Sequence, residues 1–173
     1  MQAIGKLGWL VLWFNDFVLE VKGHSIAVPQ RASKKEVFVN RDERETSEKR
    51  CHALRSSLLE LHRVLIELER RHYEKRHGKH SAGEFLQVVA FSDEMRWLEP
   101  LSRLIVMLDE ALEQGADSSM TPSVVTSRVR DLLGLDRTKS DVFSVHYIQH
   151  FDKSPELAAA HTEVLKLLKS NGS

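Results

Sequence analysis

A chain of 173 residues can bury one substantial core and is too short for two large domains. Its 25 Lys and Arg balance 25 Asp and Glu, so no overall field draws it to nucleic acid or to an anionic membrane, and such binding would need a local patch. The single cysteine, Cys51, excludes an internal disulfide and a thiolate metal cluster, and a reducing, cytoplasmic setting is expected.

Residues 1–45 read as an N-terminal extension and charged linker. FVLEV and SIAV are strand-like, with Gly5, Gly8, Gly23 and Pro29 breaking the pattern. The apolar run WLVLWF ends at Asn15 and Asp16, far short of the roughly 20 residues of a membrane-spanning helix. A signal peptide would need a basic front and a small-residue cleavage site, and neither is expected here. RASKKEVFVNRDERETSEKR is too charged for a core and reads as an exposed linker running into a helix. Two origins compete for the first forty residues. They are a small extension packed on the bundle, or a stretch outside the native protein, with translation starting at a GTG codon for Val37 or Val39.

The helical bundle domain is expected over residues 46–170. Leu54, Leu58, Leu61, Leu65 and Leu68 recur at spacings of four and three, a heptad stripe on a helix over about 46–77 that Gly78 stops. Ser81 and Glu84 form a capping box that opens a second helix, SAGEFLQVVA. Ser92 or Asp93 caps a third, whose apolar face is Trp97, Leu98, Leu101, Leu104, Ile105, Leu108 and Leu112. Pro100 kinks that helix or falls in its first turn, and Gly115 stops it. Thr121 and Pro122 open a fourth helix carrying Val125, Val129, Leu132 and Leu133 up to Gly134. VFSVHYIQHF reads as helix because Phe143, Tyr147 and Phe151 step by four, although its β-branched and aromatic content also suits a strand. Ser154, Pro155 and Glu156 open the last helix, with Leu157, Ala160, Val164, Leu167 and Leu168 on its apolar side. The predicted fold is all-α, an antiparallel bundle of five to six helices with an irregular or strand-like N-terminal extension.

The phrases LHRVLIELERRHYEKRHG, GEFLQVV, MRWLEPLSRLIVMLDEAL and YIQHFDKSPELAAAH resemble a family of small, uncharacterised bacterial helical proteins, over residues from about 50 to 168. The most specific piece is WLEPLSRLIVMLDE, with Trp97, Pro100, Leu101, Ser102 and Asp109. The resemblance implies a helical fold and a bacterial cytoplasmic origin. It implies no catalytic residue.

The chemistry-bearing residues favour binding over catalysis. In RRHYEKRHGKH, His72 and His77 lie about 140° apart on a helix and cannot share an ion, while Arg76, His77 and Lys79 suit the negative end of the helix dipole. His80 lies beyond the glycine. His72 follows Leu68 by four residues and is expected to continue the buried stripe. Arg70, Arg71, Lys75, Arg76 and Lys79 are interleaved with Glu67, Glu69 and Glu74, so nucleic acid is an unfavoured partner. Cys51 reads as an incidental exposed thiol, and Asp109, Glu110 and Glu113 as a solvated face.

The leading expectation is a non-enzymatic binding, regulatory or interaction module with no cofactor. Its binding residues would be Trp97, Pro100, Leu101, Ser102 and Asp109, and Trp97 beside the Pro100 kink could equally plug the core. The partner would be another protein or a second copy, paired through the long first helix. The alternative is a bundle holding a transition metal such as zinc or iron on His72, His146, His150 and His161, with redox or hydrolytic activity. Glu69-Arg70-Arg71-His72 is a Glu-x-x-His motif that occurs once, where di-iron bundles repeat it.

Overall fold

The computed structural model describes residues 37–114 and 122–169, and these are helical almost throughout. The strand-like segments expected near the N-terminus, Gly115 and Thr121 lie outside the described residues. In chain order the elements are α1 (Val37–His77), α2 (Ala82–Phe91), a 3₁₀ segment (Asp93–Leu98), α3 (Glu99–Gln114), α4 (Pro122–Leu132), α5 (Val142–Phe151) and α6 (Pro155–Lys169). No helix among them is long and apolar enough to cross a membrane.

Helix α1 begins at Val37, whereas the sequence placed its start near residue 46. The charge that marked residues 37–45 as linker does not oppose helix formation, because Arg and Glu are good helix formers and no Pro or Gly interrupts the run. The C-terminus falls where expected. Gly78 adopts φ 85°, and its N–H bonds the Glu74 carbonyl at 2.9 Å. The following turn is tied down by Arg70, which reaches the Glu74 carboxylate at 2.9 Å and the His80 carbonyl at 3.0 Å.

Among the described residues, α2, the 3₁₀ segment, α5 and α6 start on caps readable in their own sequence. Ser81 and Glu84 close the capping box of α2, and Ser154 Oγ accepts the Leu157 N–H at 3.2 Å. Ser92 Oγ accepts the Glu94 N–H and starts the 3₁₀ segment, which continues directly into α3 with Pro100 in the first helical turn. Asp141 caps α5 by accepting the Ser144 N–H at 2.9 Å. After α4 the left-handed residue is Leu135, at φ 51°, in place of the expected Gly134.

The core is one continuous apolar cluster. Leu54, Leu58, Leu61 and Leu65 of α1 are fully buried, as are Leu101 and Leu108 of α3, Val125 and Val129 of α4, and Leu157 and Val164 of α6. Each side chain of this size contributes roughly 1.5–3 kcal/mol by leaving water. Helix α1 packs on α6 and α3, and α4 bridges α3 and α6. Two polar pairs show that α3 runs antiparallel to α1. Arg55 is hydrogen-bonded to Asp109, and one turn-pair further along α1 His62 meets Ser102, earlier in α3. Helix α6 is also antiparallel to α1, since its first turn, at Glu156, meets Arg71 near the end of α1. The leucine stripe that was to pair with a second copy is therefore filled by α3 and α6 of the same chain. Cys51 is likewise buried, at 5% exposure, against the expectation of an exposed thiol. Burial and the nearby Glu48 push its thiol pKa up, which makes it a poor nucleophile.

Candidate functional site: a carboxylate–histidine cluster beside an open groove

Among the described residues three histidines, His62, His150 and His161, are buried, and their partners separate them. His62 Nε2 lies 2.8 Å from Ser102 Oγ, and Ser102 gives its only proton to the Leu98 carbonyl at 3.2 Å, so the imidazole N–H is the donor. Burial pushes the His62 pKa down to about 4, and the ring is neutral at physiological pH. His161 Nδ1 lies 2.8 Å from the Tyr147 hydroxyl. Burial raises the phenol pKa and lowers that of the imidazole, so both are neutral. If the phenol donates, only His161 Nε2 is left without a partner, whereas the reverse arrangement would also strand the phenolic proton.

His150 differs from both. Its Nε2 donates to Glu69 Oε1 at 2.7 Å, and the two side chains are about nine-tenths buried. On its other side the His72 ring stacks at 5.2 Å and 30°. Glu69 and His72 share a face of α1 three residues apart, while His150 comes from the last turn of α5. Their donor atoms all lie within 4.8 Å of one another. Burial works to raise the Glu69 pKa, but the hydrogen bond from His150 and the positive potential of His150, His72 and His146 outweigh it, and the carboxyl stays below its usual range. His72 is lowered by desolvation and by the neighbouring His150.

Trp97 is the floor beside this cluster. Its ring lies nearly parallel to His146 at 5.1 Å and to His150 at 5.6 Å, and it is tilted against Phe143 at 5.9 Å. At 4% exposure its indole N–H has no acceptor among the described residues. Outside Trp97 opens a groove of about 710 Å³, walled by Trp97, Pro100, Val142, Phe143 and His146, with Glu69 at its inner end. The rim charges are mutually satisfied. Arg76 pairs with Glu94 at 3.0 Å, Arg96 with Asp93 at 2.6 Å, and Asp141 is held as the α5 cap.

The expected binding residues divide. Trp97 and Pro100 line the groove, but Leu101 is fully buried in the core and does not reach it. Ser102 and Asp109 face α1, engaged with His62 and Arg55. The expected metal set divides too. His72 and His150 come together, His146 stacks on Trp97 one turn away, and His161 is turned to Tyr147 and Phe151. The third donor is Glu69 of the Glu-x-x-His motif. His72 is exposed and does not continue the buried stripe as expected, because the apolar surface of α1 gives way to Glu69 one turn earlier. The rest of RRHYEKRHGKH is a helix end, with Tyr73 packed by His77 at 4.1 Å and by His80 at 5.2 Å. Arg71 spans Glu67 at 3.9 Å and Glu156 at 3.1 Å, so much of the basic cluster is paired internally.

No family model, curated protein or solved structure matches the chain.

Proposed function

We propose that this protein is a non-enzymatic binding module whose partner, another protein, places an apolar anchor in the groove beside Trp97. The observation that carries this reading is the pairing of an apolar wall with exposed apolar residues at its edge. Val142 lines the groove and is 63% exposed, and Val145, three residues on along α5, is 40% exposed. Exposed apolar side chains next to a concave aromatic surface suit a partner's anchor, and the paired rim charges leave recognition to shape and apolar contact. Following the sequence resemblance, the proposed setting is the bacterial cytoplasm. A partner from outside the chain fits better than self-pairing through α1, whose leucines are already covered.

A photo-crosslinking amino acid at Val142, and a control at exposed Lys166 of α6, test the assignment in cells. The reading expects a discrete adduct from Val142 that disappears when Val145→Asp is added, and none from Lys166. Equal adducts from both positions, or adducts indifferent to Val145→Asp, would refute it.

A further inference from the structure

We propose that Glu69, His72 and His150 form a binding site for a divalent transition metal ion, with zinc the best match to the donor set. Of the three donors only Glu69 also reaches the groove, so the ion and a groove ligand can be tested separately.

The donors are two imidazole nitrogens and one carboxylate oxygen from two helices, a composition that zinc takes with three protein ligands and a fourth position left for water. The spacing suits it. Two imidazoles bound tetrahedrally by Zn–N bonds of about 2.0–2.1 Å have ring centres about 5 Å apart, and the His72 and His150 rings are 5.2 Å apart. Ligand atoms around the same ion lie about 3.3 Å from one another. The Glu69–His150 contact of 2.7 Å needs to open by about 0.6 Å, and His72, which is exposed, has room to swing inward.

The surroundings separate this cluster from an ordinary buried pair. His62 and His161 each meet one hydroxyl, that of Ser102 and that of Tyr147, and no carboxylate. His150 instead faces a buried carboxylate and a second imidazole. A buried carboxylate is costly unless positive charge offsets it, and a divalent ion at this point supplies that charge. Trp97, parallel to His150 at 5.6 Å, fixes the plane of the ring, as supporting groups around a metal commonly do. His72 on the solvent side gives the ion an entry path. Lys75 and Lys153 are near enough to His72 to oppose a cation, and they are the main charges set against the site.

Isothermal titration of the full, tag-free chain with Zn²⁺ tests the proposal, with Co²⁺ as a spectroscopic probe. One equivalent should bind per chain, and the Co²⁺ form should show the intense visible absorption of a tetrahedral site. His72→Ala, at an exposed position that leaves the core intact, should weaken binding by more than roughly ten-fold, and Glu69→Gln should act in the same direction. His77→Ala and His80→Ala should change nothing. Absence of binding, binding that survives both His72→Ala and Glu69→Gln, or binding carried by His77 and His80 would overturn the proposal.

Discussion

His62 provides a quantitative test of how α1 and α3 are held together. Its ring is wholly enclosed, and its pKa is lowered from 6.5 to about 4 because burial penalises the imidazolium. In the unfolded chain it titrates near 6.5. Between those values the unfolded state binds more protons than the folded state, so stability is fully present above about pH 6.5 and is lost as pH falls toward 4. At about 1.36 kcal/mol per pH unit of displacement, the loss reaches about 3 kcal/mol by pH 4. His62→Gln keeps an N–H donor for Ser102 and cannot titrate. Urea unfolding of both proteins at about pH 7 and about pH 4 isolates the imidazole, since the carboxylates contribute equally to each and cancel in the difference. The native protein should lose about 3 kcal/mol relative to the variant over that interval. A gap that does not change with pH would show that His62 meets solvent in the folded state and that the α1–α3 packing is misread.

Two further outcomes follow from the packing. Leu61→Ala removes a fully buried side chain at the centre of α1, and urea denaturation should show a loss of about 2–5 kcal/mol; a loss below about 1 kcal/mol would mean that α3 and α6 do not enclose the stripe. Gly78→Ala meets no neighbouring atom but must hold φ 85°, so thermal unfolding should report a cost of about 1 kcal/mol, and no cost would mean that the helix ends elsewhere.

The bundle was legible because its signals are local. The leucine spacing of α1, the Ser81–Glu84 box, and Ser154 before Pro155 each act within one or two turns, and the structure realises all of them. The start of α1 was not, because a charged run without Pro or Gly reads equally as linker and as exposed helix. The site was half legible. His72 and His150 were singled out, but their meeting depends on how α5 lies against α1, and no spacing in the sequence specifies that. Glu69 was visible in the Glu-x-x-His motif but was not placed in the metal set, and His62 was not singled out although it had a signal. Leu58, His62, Leu65, Glu69 and His72 recur at four, three, four and three, a second stripe beside the leucines. Leu101 illustrates the reverse error, since closeness in sequence to Trp97 and Pro100 suggested a shared groove, while its direction on α3 sends it into the core.

In the proposed function, the face formed by the 3₁₀ segment and α5 receives an apolar anchor. Backbone amide shift mapping of the ¹⁵N-labelled chain against a panel of short amphipathic peptides tests it most directly. Peptides that bind should perturb Trp97, Val142, Phe143 and His146 first, and Val142→Asp should abolish the response. Perturbations centred on the outer faces of α4 and α6, with the groove amides unmoved, would contradict it.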